Sequence, residues 1–230
     1  NSTTYMSFFS QMDTYGDGYA GIGVWRAAFK PLVDRIADTD IRLQWFCCDR
    51  STGVTDASGK RVTLIRDTKY PVSVEYQTVK FIGTGRDNIK AGVFSGWELG
   101  DYIYLRSEEA YMIKMEALAH KGSADAITEL NSFMKTRQPD YNYTFTNKAD
   151  LIEEIIYQKR VEFWGEGLEY IDNRRLNIPV DRTDETWGAE NNNHFSAGKF
   201  RYNQEERPFL YQLPLSEIEN NSQLSPTDQN

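Results

Sequence analysis

Two cysteines and two histidines are all that this 230-residue chain holds of the side chains best suited to soft metals and nucleophile–base pairs. Cys47 and Cys48 are neighbours in the strand-like run WFCCD. Successive side chains of a strand point to opposite faces, so both read as unpaired thiols and no disulfide framework staples the chain. His120 lies four residues after Glu116, on one helix face, but one imidazole and one carboxylate do not complete a metal site. His194 sits in an Asn-rich stretch without a Cys or His companion, so no Ser-His-Asp set can be assembled. Asp13 and Asp17 stand among glycines in a loop that loosely resembles an oxygen-donor calcium site. The spacing and the missing bidentate Glu fail the EF-hand pattern. No metal or cofactor is expected.

Basic runs are also missing. The formal net charge is -8, which argues against nucleic acid, since such partners need Lys and Arg clustered on one face. Nowhere does the chain contain the roughly 20 consecutive apolar residues of a spanning helix. Its opening, NSTTYMSFF, has neither a basic segment nor an apolar core of the kind found in signal peptides. Any export signal or lipid anchor is expected on sequence outside this chain.

Aromatic residues are plentiful, at 13% with 14 Tyr and 5 Trp, and many lie in Gly-, Asn- and Asp-rich segments. Residues 1–20 read as an irregular surface loop feeding a helix over Val24–Ala37 that Pro31 kinks. Ile41–Cys48 and Val72–Ile82 carry the β-branched and aromatic bias of strands, with turn residues between them, and suggest a small ribbon.

From Asp101 the pattern turns helical. Leu105, Met112, Met115 and Ala119 form one apolar stripe that ends at Gly122, a natural C-terminal cap. Ser123 is placed to cap the next helix, which Pro139 stops, and Asn147 with Asp150 offers a capping box for a third. The first pair, about 37 residues long, has the dimensions of a tetratricopeptide-type hairpin. One such hairpin normally needs stacked neighbours to bury its apolar face. The ribbon and tail therefore cover it, or further repeats lie outside this chain. The apolar run RPFLYQLPLSEI near the end reads as a strap packed back on the body. The expected fold is mainly α, with tetratricopeptide-like hairpins and a loop-rich, short β-ribbon portion. Residues 1–100 form the loop-rich, ligand-facing portion, and 101–230 the helical scaffold and strap of the same domain.

The stretch Gln158–Arg175, QKRVEFWGEGLEYIDNRR, crowds Arg160, Glu162, Glu166, Glu169, Asp172, Arg174 and Arg175 around a Phe-Trp pair. Glu162, Glu166 and Glu169 follow i, i+4, i+7 spacing, and Glu109 and Glu116 flank the apolar stripe of another helix. A glycoside hydrolase using Glu162, Glu166 or Asp172 needs two carboxylates across a cleft, one with a raised pKa. So many nearby cations push carboxylate pKa values down instead. The series therefore reads as a structural network of Glu109, Glu116, Glu162, Glu166, Asp172, Arg174 and Arg175, without catalysis. Better candidates for ligand contact are loop aromatics, whose rings stack on the C–H faces of sugars while neighbouring Asn, Asp and Arg bond hydroxyls. Tyr15, Tyr19 and Trp25 come first, followed by Trp97 and Trp187.

Three ordered segments resemble the SusD/RagB-like outer-membrane glycan-binding lipoproteins of Bacteroidetes. Leu105-Arg106 through Glu109, Tyr111 and Met112 to Glu116-Ala117-Leu118 is similar to the family's R-x-x-E-x-Y-L-x-x-A-E-A helix. Glu162-Phe163, Glu166-Gly167, Asp172 and Arg174-Arg175 are similar to its E-L-x-x-E-G-x-R-x-x-D-x-x-R helix. Phe209 to Pro214, Glu217-Ile218, Asn220 and the final Gln229-Asn230 resemble its L-x-P-I-P-x-x-E-I-x-x-N-P…Q-N finish. Asp40-Ile41-Arg42 resembles its D-P-R step. Glu169 stands where the family usually has Arg, Met115 replaces an Ala, and Asn221 replaces a common Pro.

The resemblance implies the C-terminal half of a SusD-like fold in a protein anchored by an N-terminal lipid at the outer-membrane surface. It implies capture of oligosaccharide or polysaccharide for a SusC-like, TonB-dependent transporter. The competing reading is a helical scaffold whose grooves hold a protein partner.

Overall fold

Short-range caps and turns decide where each helix begins and ends. The computed structural model describes residues 27–47, 76–78, 80–81, 104–206 and 212–228. They are mainly helical, with two short ribbons, and fall in two compact units, 1–165 and 166–230. The expected division near residue 100 lies outside the described residues.

In the first unit, helix α1 (Lys30–Asp34) has Pro31 in its first turn and an extended Phe29 before it. Pro31 thus opens the helix, where its missing N–H costs nothing, instead of kinking a longer one. Asp40 then caps a tight 3-10 turn over Ile41–Trp45, its carboxylate accepting the Arg42 N–H at 2.9 Å. The apolar bias of this segment suggests a strand over Ile41–Cys48. The local Asp40 bond takes most of it into a turn, leaving β1 as Phe46–Cys47. Strand β2 (Gln77–Thr78) pairs antiparallel with β1, with Phe46 opposite Thr78. Ala28, Val33, Ile36, Leu43, Phe46 and Tyr76 close on Tyr157 and Val161 as one core, and Trp164 meets Phe46 edge-on at 5.8 Å.

Helices α2 (Ser107–Lys121) and α3 (Asp125–Met134) form the expected hairpin, and α2 packs against both α3 and α4 (Lys148–Glu162). Gly122 adopts φ 71°, and the Gly122 and Ser123 N–H groups return to Ala119 O and Leu118 O, each at 3.0 Å. This Schellman pair satisfies carbonyls that the helix end would orphan. Ser123 Oγ accepts the Asp125 N–H at 3.2 Å. Asn147 and Asp150 complete the capping box at the start of α4. Met112, Met115, Ala119, Ala126, Leu130, Met134, Leu151 and Ile155 are buried. Burying each Leu, Met or Ile stabilises the fold by roughly 1.5–3 kcal/mol. Leu105, read as part of the stripe, precedes the helix and is 69% exposed.

Gly165 and Gly167 take left-handed φ values of 78° and 86°, which end α4 and start α5 (Leu168–Arg175). Glu162, Glu166 and Glu169 therefore do not share one helix, contrary to their spacing. In the second unit, the turn after α5 closes at Asn177 with φ 52°, the Ile178 and Asn177 N–H groups bonding Asn173 O and Arg174 O. Strands β3 (Val180–Asp181) and β4 (Arg201–Tyr202) pair antiparallel and flank α6 (Asp184–Trp187). The segment read as a strap is described from residue 212, where α7 (Leu215–Asn220) buries Ile218.

Candidate functional site

At the C-terminal end of α4, Glu162 is 1% exposed and meets three guanidinium groups. Oε1 accepts from Arg106 at 3.0 Å and Arg137 at 3.1 Å, and Oε2 from Arg137 at 3.1 Å and Arg42 at 3.4 Å. The Glu162 carbonyl takes Arg106 at 2.9 Å and Lys80 at 2.7 Å. Arg42, also 1% exposed, is held by Asp40 at 2.7 Å and by Gln158 Oε1 at 2.5 Å. Glu108 reaches Arg137 at 3.3 Å. Asp40, Glu108 and Glu162 thus face Arg42, Arg106 and Arg137, with the Lys80 ammonium as a fourth cation on the Glu162 carbonyl.

This arrangement decides what Glu162 can do. Burial opposes its ionisation, but the Arg137 hydrogen bond and the Arg42 and Arg137 charges outweigh it and pull the pKa to about 2. A general acid must hold a proton near neutral pH, and Glu162 does not. Its position instead ties four segments together: the Asp40 turn, the residue before α2, the end of α3 and the end of α4.

Other residues expected in that network form ion pairs within their own unit. Glu116 is buried in a separate pair with Lys159 at 3.3 Å, and His120 lies 3.6 Å away, half-exposed. Glu109 is half-buried, and among the described residues it makes none of the Glu162 ion pairs. Asp172 bonds Arg175 at 2.6 Å within α5, and Arg174 donates to the Gln204 carbonyl. Glu166 is partly exposed after Gly165. The cations placed near Glu162 in sequence, Arg160, Arg174 and Arg175, are therefore not the ones that neutralise it. Arg42 and Arg106 were visible only through the family motifs, and Arg137 carried no sequence signal.

Of the aromatic candidates, Tyr15, Tyr19, Trp25 and Trp97 lie outside the described residues, as do Asp13 and Asp17. Trp187 ends α6 and is 38% exposed, its indole N–H donating to Asp181 O at 2.9 Å. Asp181 is fixed by the Thr183 and Thr186 hydroxyls, each at 2.7 Å, and by Arg201 at 3.2 Å. Burial opposes the Asp181 charge, yet these donors hold it below the usual carboxylate range. Asp184 is bridged by Lys199 at 2.8 Å and Asn192 at 2.8 Å, and Lys199 lowers its pKa. A half-exposed indole is thus bonded to the Asp181 carbonyl, in a unit that also carries the Asp184, Asn192 and Lys199 polar cluster. Phe195, which sequence reasoning passed over, is 74% exposed in the same unit. His194 is half-buried, and burial followed by the Arg182 and Lys199 charges lowers its pKa. Among the described residues no group of three His, Cys, Asp or Glu side chains could hold a metal ion.

The first unit is a helical scaffold: a tetratricopeptide-type hairpin with a third helix, locked to an irregular ribbon by buried ion pairs. A model of the SusD family matches residues 33–230, and the chain belongs to that family. A solved structure, a SusD-like carbohydrate binding protein from Bacteroides vulgatus, superposes with a TM-score of 0.62 at 22% identity. The match covers 94% of this chain and 44% of that one, so the chain spans less than half the length of the structure it resembles. No protein of curated function matches it in sequence.

Proposed function

We propose that this chain belongs to a non-catalytic protein that binds oligosaccharide or polysaccharide at the cell surface. The bound glycan passes to a SusC-like, TonB-dependent outer-membrane transporter, and an N-terminal lipid anchors the full-length protein. The observation that carries the reading is the family match over residues 33–230. The carbohydrate binding named for the Bacteroides vulgatus structure agrees with it. Residues 1–100 contribute the ligand-facing loops and 101–230 the scaffold. Tyr15, Tyr19, Trp25, Trp97 and Trp187 are the sugar-stacking candidates. The ionised, arginine-bound state of Glu162 argues against its use as the general acid of a hydrolase.

The test is calorimetry of the full-length protein against a panel of soluble oligosaccharides. At least one glycan class binds, and removing a stacking ring weakens it roughly three- to ten-fold. A panel without any binder overturns the proposal. A second reading, a protein-interaction scaffold, draws on the exposed Tyr104, Leu105, Tyr111 and Ile113 in and before α2, at 84%, 69%, 52% and 53%. Co-purification of a β-barrel transporter that is independent of glycan, together with a silent sugar panel, would favour it.

A further inference from the structure

A polar cleft of about 310 Å³ opens on the helical body of the first unit. One wall is the end of α1 and the following turn, another is the connection from α3 to α4, and the floor is α4. We propose that this cleft is a second sugar site, sized for one or two pyranose rings. The inference rests on the glycan-binding reading above and adds a place that the loop aromatics do not supply.

Three observations carry it. The cleft is built in advance of any ligand. Glu154, 5% exposed, accepts Tyr141 OH at 2.9 Å and Arg35 Nη2 at 2.5 Å, and the Arg35 guanidinium lies over the Tyr157 ring at 3.9 Å. Tyr143 is pinned at both ends: its backbone N–H donates to Asn131 Oδ1 at 2.8 Å and its hydroxyl to Asp150 O at 3.1 Å. Groups fixed in this way lose little entropy when a ligand arrives.

The polar equipment is also mixed in the way hydroxyl groups require. Asp140 is exposed and accepts only, with the Thr39 hydroxyl at 2.7 Å and Gln138 holding it below the usual carboxylate range. The Arg35 side chain remains 46% exposed, and its guanidinium carries five N–H donors. A sugar hydroxyl donates to the first and accepts from the second. Of the lining tyrosines Tyr143 is the partly exposed one, an aromatic ring of the kind that packs on sugar C–H groups.

Charge and size narrow the alternatives. Glu154 offsets Arg35 and Arg42 offsets Asp40, which leaves Asp140 as the uncompensated charge and disfavours an anion. The Asp140 charge leaves a small cation as the competing ligand, which the methylguanidinium probe below tests. Small-molecule sites run from about 300 to 1,000 Å³, so this one sits at the low end and does not hold a long chain.

Saturation-transfer NMR and calorimetry on the full-length protein test the proposal, with neutral methyl glycosides and their disaccharides as probes. Asp140→Asn and Tyr143→Ala should each weaken one monosaccharide probe at least five-fold, while Lys121→Ala, at the exposed end of α2, leaves it unchanged. Thermal melts check that the cleft variants fold, and Asn142→Ala, at an exposed position of the lining, repeats the test with less disturbance of the fold. If Trp187→Ala abolishes all binding and the cleft variants change nothing, the cleft is not a sugar site and the proposed function stands. If phosphate or methylguanidinium binds at the cleft and sugars do not, the ligand class is wrong. If no glycan of any length binds, both proposals fall.

Discussion

Replacing Glu162 by Gln removes one negative charge from the centre of Arg42, Arg106 and Arg137 and leaves the shape of the side chain nearly unchanged. The cost follows from the ionisation. In the folded protein the carboxyl titrates at about 2, against an ordinary value of 4.5, a gap of about 2.5 units. At 1.36 kcal/mol per unit, that preference for the charged state amounts to about 3 kcal/mol. Direct loss of one partner from a buried ion cluster costs about 3–5 kcal/mol, which agrees. Because the folded pKa lies below the unfolded one, the contribution is fully present above pH 4.5 and is lost as pH falls toward 2. Urea denaturation of wild type and Glu162→Gln between pH 7 and pH 2.5 measures this. The stability gap should be about 3 kcal/mol at pH 7 and should narrow steadily below pH 4.5. Other titrating carboxylates, Asp181 and Asp184 included, cancel in the difference. A gap below about 0.5 kcal/mol at pH 7, or one that stays constant down to pH 3, would refute the neutralised-cluster reasoning.

Three further outcomes are expected. Gly122→Ala should lower stability by about 1–2 kcal/mol although a Cβ there meets nothing within 4 Å, because the left-handed backbone alone resists a side chain. Chemical denaturation reads this directly, and a neutral substitution would mean that the α2 terminus is not held at φ 71°. Asn147→Ala should cost about 1 kcal/mol, and Asn147→Ala with Asp150→Ala should cost less than the sum of the two single changes, since both serve one capping box. Leu130, fully buried in α3, should cost about 2–5 kcal/mol when cut to Ala, measured as a lower midpoint with an unchanged denaturant slope.

The helical hairpin was legible because its signals are local. Gly122 and the pair Asn147 and Asp150 act within a few residues of the ends they define. The turn at Asp40 was not, because Ile41, Leu43, Trp45 and Phe46 satisfy a strand pattern while one carboxylate redirects the backbone. Glu162 was singled out by the charge density around it, but its partners lie 120, 56 and 25 residues away in sequence. No spacing rule reaches that far, and the nearer Arg160, Arg174 and Arg175 drew attention because they were close in sequence. The motifs of the resemblance recovered Arg42 and Arg106, whereas Arg137 became visible only in three dimensions. The cleft carried no sequence signal for a related reason: Tyr141 and Tyr143 lie between Pro139 and Asn147, and only folding brings Arg35 and Glu154 beside them.

The central claim is that Glu162 and its arginines hold the scaffold while the proposed sugar contacts are made by other side chains. Titrating the best-binding glycan into full-length Glu162→Gln, at neutral pH where circular dichroism shows it folded, tests that most directly. The account predicts lower stability with a dissociation constant within two-fold of wild type. A folded variant with wild-type circular dichroism that no longer binds sugar would contradict it.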